Sequence, residues 1–458
     1  MGLSGGPHGS KALFISEFAE AFQNVKCLKD ARELLNVKRS QTLVVLDGNV
    51  MLNAIPGSID TFLGYVGILT HQIKDACQAA AHVVVVFDEP ASMTTAKRDE
   101  QRRRDTVRQA RVPQCSEDLV ATIVNDNFTT NDLNTEGCNA KLLMEHRAAR
   151  PRFFDAVCVA LLKYFGDSLT GADWSLTFDG IDPRGADRGF GVPREAGVLS
   201  SDDAFWKPLL SRDVAIGEGD IKLTDVTRRV HKAALDKNAP VHGVVLNLVV
   251  TIDTDSFAIE LLQQNRREIF LAENPEDTEF TVLCIKERSR KRAGDDFTTD
   301  AHYLCCDMQA FHELILDRMH GTKNLSDQAK KRQPAALALL AATIACCGCD
   351  FVEVKGMRAD LALPVVCDVV RNNPEQLDAM ACIFAPSEGD VLKAFSAVKF
   401  VILEYAKSLQ NVPRMQKAQH NASNHCEAQI LRALWTCSYW HQREFCDCSA
   451  WGFASTSG

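Results

Sequence analysis

The chain of 458 residues has no run of eighteen apolar residues, so no segment is expected to cross a membrane as a helix. It also lacks an excess of basic charge. Its 51 Lys and Arg stand against 60 Asp and Glu, a net charge of −9. Contact with nucleic acid is therefore expected only at a local basic patch, where phosphates are neutralised. The start, Met1 to Lys11, is glycine-rich and lacks the apolar stretch of a signal peptide. Gly6 stands where a myristoylation signal needs Ser or Thr, which argues against a lipid anchor. Internal repeats and low-complexity tracts are missing as well. Cysteine is plentiful, with seventeen residues, but its placement opposes a disulfide framework. Cys346, Cys347 and Cys349 crowd one apolar run and Cys305-Cys306 another, as small buried hydrophobes do in a reducing compartment. Cys437, His441, Cys446 and Cys448 are interleaved with Trp435, Tyr439, Trp440 and Trp451, a pattern that favours packing over a zinc site. An intracellular location, nucleus or cytoplasm, follows. The run Arg288-Ser-Arg290-Lys291-Arg292 reads as a solvated loop rather than an import signal.

What is present is a series of apolar runs that end in acids. Phe14 to Leu35 has helical spacing. Thr42-Leu-Val-Val-Leu-Asp47 and His82-Val-Val-Val-Val-Phe-Asp88 read as buried strands, with loop and helix over Met51–Leu69 and a helix over Ile73–Ala81 between them. Strand, helix, strand at this spacing predicts a parallel βαβ unit, and acids at the carboxyl ends of such strands face the ligand crevice of an open α/β sheet. Phe153 to Phe165 predicts a helix, Trp174 to Phe178 a strand, Val241 to Ile252 a strand running into Asp253-Thr-Asp255, and Phe280 to Ile285 a further strand. Met308 to Met319 and Pro334 to Cys347 predict helices, the second leading into Asp350, and most of the chain to about Leu434 reads as helical. The fold class expected is α/β, a mostly parallel central sheet flanked by helices, with a helical C-terminal region. Two parts are expected: a core over 1–355 with a flexible, partly disordered insertion at about 179–215, and a helical part over 356–458.

In Ile216-Gly-Glu218-Gly-Asp220-Ile-Lys222, two carboxylates precede an amphipathic pattern. That is the first turn of a helix, where acids are favoured by the dipole. Together with Asp47, Asp88, Asp253, Asp255 and Asp350 they form an ordered set. Several carboxylates converging on one crevice repel each other. Hard divalent ions, Mg²⁺ or Mn²⁺, relieve that repulsion, and two such ions hydrolyse phosphodiesters. The segment Lys97 to Arg111, rich in arginine and lysine, follows the second acid and is placed to lie along a phosphate backbone.

These residues resemble the 5′-nuclease superfamily, and within it the Xrn-type 5′→3′ exoribonucleases. Gly217-Glu-Gly-Asp220-Ile-Lys222 is similar to that family's Gly-Glu-Gly-Glu-His-Lys segment. Ala96-Lys97 with Gln101, Arg102 and Arg104 resembles its Ala-Lys-x-x-x-Gln-Arg-x-Arg-Arg segment, and Ile252-Asp-Thr-Asp255 its Leu-Asp-Ala-Asp. Leu431, Leu434, Trp435, Tyr439, Trp440, Ser449 and Trp451 echo the pattern that closes the family's catalytic core. The Met1-Gly2 start also fits. The resemblance implies a PIN-like, 5′-nuclease fold. It also implies two ions of Mg²⁺ or Mn²⁺ held by Asp47, Asp88, Glu218, Asp220, Asp253, Asp255 and Asp350. Lys97, Gln101, Arg102 and Arg104 would hold the terminal phosphate of single-stranded RNA, with Lys97 also offsetting charge during hydrolysis. Three departures stand out. Asn53 occupies the position of a histidine that grips the terminal nucleotide, Asp105 that of an arginine, and Asp220 that of the longer Glu. The accessory domains of the large cellular enzymes are expected to be lacking. Val352-Glu-Val-Lys355-Gly-Met-Arg358 resembles a flap-endonuclease run, which keeps a DNA-directed 5′ flap nuclease as the alternative. A non-catalytic nucleic-acid-binding relative is the second.

Overall fold

The computed structural model describes residues 17–53, 55, 59–89, 102, 106, 140–145, 149–169, 173–184, 194–212, 216–252, 255–263, 278–286, 302–321, 325–349, 352, 357–384, 388–410, 416, 419 and 427–442. Eight strands form one mixed sheet: β1 Phe22–Val25, β2 Thr42–Asp47, β3 His82–Val86, β4 Ser175–Ile181, β5 Gly197–Ser200, β6 Leu246–Thr251, β7 Phe280–Lys286 and β8 Tyr303–Asp307, in the order β1-β8-β7-β6-β2-β3-β4-β5. β4, β3, β2, β6 and β7 run parallel, and β5 closes one edge antiparallel to β4. This is the α/β class expected. Two adjacent interior strands, Thr-Leu-Val-Val-Leu-Asp and His-Val-Val-Val-Val, are buried throughout, as strands covered on both faces must be.

Alternation along the strands sorts side chains to two faces. Val44, Leu46, Val83, Val85, Leu176, Phe178, Leu248 and Val250 join one apolar cluster with the helices Phe62–Ala79 and Ala149–Leu169. The intervening residues, Leu43, Val45 and Val84, belong to the other face. There the helix Gly219–Ala234 packs across β2, β3 and β6. Asp47 shares the parity of Leu43 and Val45, and Asp88, just past β3, shares that of Val84. Both acids are thus delivered to the helix side.

The residues gather into two compact units. One consists of 24–252 and 279–305. The other consists of 1–23, 253–278 and 306–458 and is predominantly helical. The second unit has the helix Asp327–Cys346 at its centre, with every residue from Ala336 to Cys346 buried, as a helix apolar all round requires. This grouping differs from a single division near residue 355.

Two expectations need correction. Phe14 to Leu35 is not one helix. Its described residues form a short 3₁₀ turn at Ala19–Ala21, then β1, then a helix over Leu28–Leu34. The apolar spacing fits a helix, but Phe22–Val25 gains sheet hydrogen bonds, and Cys27 with Asp30 forms a capping box that starts the helix anew. The expected insertion at 179–215 is largely built into the sheet: it holds the end of β4, all of β5 and the helix Asp203–Leu210, whose Trp206 is fully buried. Asp182 accepts from Arg152 at 3.0 Å, and Asp155 from Arg194 at 2.8–3.1 Å, so both ends of the Gly- and Arg-rich stretch are tied down by charge. Residues 185–193 and 213–215 lie outside the described residues.

Candidate functional site

The sheet order reverses between β2 and β6. From β2 the chain proceeds through β3 and β4 to one side, and from β6 through β7 and β8 to the other. The carboxyl ends of strands at such a switch point form the usual ligand crevice of open α/β sheets. Asp47 ends β2 there, 4% exposed, and β6 leads through Ile252 towards Asp253.

The helix Gly219–Ala234 begins at the same edge. Its first residue lies between two acids: a Cβ placed on Gly219 would stand 3.0 Å from Asp88 Oδ1 and 3.8 Å from Asp47 Oδ1. Gly219 N–H donates to Asp88 Oδ1 at 2.7 Å. Glu218 holds the N-cap position, yet its side chain makes no capping hydrogen bond. The helix is therefore capped from β3, by Asp88, rather than by its own acid. The positive end of the helix dipole lies beside both carboxylates. Glu218 is buried at 2% exposure and Asp220 half-buried, on either side of Gly219.

The segment after β3 is bolted to this helix. Phe87 N–H donates to Asp179 O at 2.9 Å, and Glu89 N–H to Gly217 O at 2.8 Å. Lys222, fully buried in the helix, donates to Glu89 Oε1 and lies 3.7 Å from Asp179 Oδ1. Asp179 in turn takes two hydrogen bonds from Arg212, at 3.2 and 2.9 Å, and Arg212 reaches Asp225 at 2.8 Å. Burial alone would lower the Arg212 pKa, but Asp179 and Asp225 outweigh it and hold the guanidinium charged. Arg228 and Arg229 complete the chain on Asp225.

Of the acids expected from sequence, Asp47, Asp88, Glu218 and Asp220 thus lie around one helix start. Asp255 is buried and opens a helix over 255–263 in the other unit. Asp253, Asp350, Lys97, Gln101 and Arg104 fall outside the described residues. Arg102 is exposed, and Thr106 Oγ1 donates to its carbonyl at 2.9 Å, the i−4 bond of a helical turn. Asn53 ends the helix Gly48–Asn53 that follows Asp47.

Sequence reasoning missed Glu89, Asp179, Arg212 and Asp225. Asp179 carried a readable signal, because it follows the apolar Leu176-Thr-Phe178 as Asp47 and Asp88 follow their runs. Among the described residues, no group of three or more His, Cys, Asp or Glu stands at metal-ligand spacing. Carboxylate oxygens such as those of Asp47 and Asp88 are the donor type that Mg²⁺ takes, an ion that keeps several waters and needs only one or two carboxylates. A scan against protein-family models gives no match for the chain, and a search of curated proteins gives none either.

Proposed function

We propose that this chain is a divalent-metal-dependent 5′→3′ exoribonuclease acting on single-stranded RNA with a 5′-monophosphate. The observation that supports it best is the pair Asp47 and Asp88: two acids at the ends of adjacent parallel strands, aimed at one helix start beside the sheet's switch point. The substrate class rests on the sequence segments at Lys97–Arg104 and Gly217–Lys222 that resemble Xrn-type enzymes.

Asp47 and Asp88 would hold the cation, with Glu218 and Asp220 beside them. A bound Mg²⁺ or Mn²⁺ supplies Lewis acidity and a water acidic enough to attack at neutral pH. The helix start orients the Asp88 carboxylate through the Gly219 N–H. Lys97 and Arg104 would bind the terminal phosphate, Lys as a point charge and Arg as a planar fork.

The purified protein with Mg²⁺ is offered 5′-phosphorylated single-stranded RNA, the matching DNA and a 5′-flap duplex. Release of mononucleotides from RNA alone is expected. Cleavage confined to flap junctions moves the assignment to the flap-endonuclease branch, and binding without cleavage in Mg²⁺ or Mn²⁺ sinks both enzyme readings. Asp88→Asn retains an acceptor for the Gly219 N–H but removes the charge. It is expected to lower kcat by at least about a hundredfold while RNA affinity changes little.

A further inference from the structure

Lys222 is a fully buried cation. Such a group is tolerated only with paired acids around it. Its two acidic neighbours come from the ends of β3 and β4: Glu89, which accepts a hydrogen bond from it, and Asp179 at 3.7 Å. Room for the ammonium is made by Gly180, held at φ +87°. A Cβ there would stand 2.8 Å from Lys222 Nζ and 2.6 Å from the Phe87 carbonyl oxygen. Asp88 and Glu89 are consecutive acids, and one helix engages both. Gly219 N–H takes Asp88 at the helix start, and Lys222 takes Glu89 one turn later.

Resting on the reading of Asp47 and Asp88 as cation ligands, we infer that Lys222 and Glu89 form a charge-matched lock. The lock decides which of the two neighbouring acids faces the cation. Lys222 is a positioning residue: it neutralises Glu89, holds it out of the ligand set, and leaves Asp88 as the single acid of that strand end turned towards Asp47. Its charge is matched locally, so it subtracts little from the negative potential that attracts a divalent ion.

The lock makes a signed prediction for Mn²⁺ binding to the full chain, followed by loss of the free-ion EPR signal with no nucleic acid present. Glu89→Gln leaves Lys222 only the more distant Asp179, which Arg212 already engages, so uncompensated positive charge stands beside the pair and Mn²⁺ should bind about tenfold more weakly. Lys222→Met releases Glu89, and binding should tighten by about the same factor. The double variant removes both charges and should return to within about threefold of the wild type. A purely structural contribution would instead weaken binding in both single variants and no less in the double. That pattern, or unchanged affinity in Glu89→Gln, overturns the lock while leaving the cation reading intact. Should Lys222→Met fail to fold, the double variant decides alone, since the lock requires it to bind more tightly than Glu89→Gln. Absence of Mn²⁺ uptake by the wild-type protein overturns the cation reading and the lock together.

Discussion

At the scale of single residues, Gly180 shows how closely the site is packed. Its φ of +87° lies where L side chains are rarely found, and a Cβ would meet the backbone oxygen of Phe87, which has no rotamer to move into. Gly180→Ala is expected to cost at least about 2 kcal/mol, read as a lowered urea midpoint at unchanged m-value. Gly219 is the companion position, where a methyl group would crowd Asp88. The two acids of the pair were legible in the sequence because each ends a run of valine and leucine too apolar to be anything but a buried strand. Lys222 was not legible as a buried group. A lysine in an amphipathic helix reads as solvated, and the acids that bury it arrive from strand ends remote in sequence. The capping role of Asp88 was hidden for the same reason, because Glu218 occupies the position from which a helix is ordinarily capped.

At the scale of elements, the opposite ends of β3 and β4 carry a second polar contact. His82 opens β3 and Ser175 opens β4. Trp206 Nε1–H donates to Ser175 Oγ at 3.1 Å, and Ser175 Oγ and His82 Nδ1 share a hydrogen bond of 3.0 Å. Burial pushes the His82 pKa down to about 4, although the Pro240 carbonyl also accepts from the ring. The unfolded chain protonates this group near 6.5, so between pH 6.5 and 4 the unfolded state binds more protons. Stability is therefore complete above pH 6.5 and falls as the pH drops towards 4, by roughly 3 kcal/mol in total from this group. Urea unfolding at pH 7 and 4.5 should show a larger loss for the wild type than for His82→Gln. The parallel order of β2 and β3 was readable from the strand–helix–strand spacing. The sheet hydrogen bonding of Phe22–Val25 was not, because its apolar residues recur at a spacing that suits a helix as well.

At the scale of the whole molecule, the cysteines behave as one population. Twelve are described, and all are free thiols, most of them buried. Burial pushes the Cys77, Cys346 and Cys382 thiols up to about 12 and Cys367 to about 11, which leaves almost no thiolate at neutral pH. A disulfide-exchanging reagent such as DTNB should titrate few of the twelve described thiols in the native protein at pH 7.5 and all seventeen cysteines in guanidinium. Fast native labelling of most of them would contradict this packing. The reading of these residues as small buried hydrophobes could be made from their clustering in apolar runs. The division into two units could not, because each unit draws on segments far apart in the chain. That same interleaving bears on synthesis. β2 pairs on one side with β3, which follows it closely, and on the other with β6, some two hundred residues later. At 5–20 residues per second, the β2 edge that meets β6 waits on the order of ten to forty seconds on the ribosome with its backbone groups unpaired. The switch-point crevice that carries Asp47 thus forms only after more than half of the chain is made, and until then the nascent chain presents an apolar strand edge open to wrong pairing.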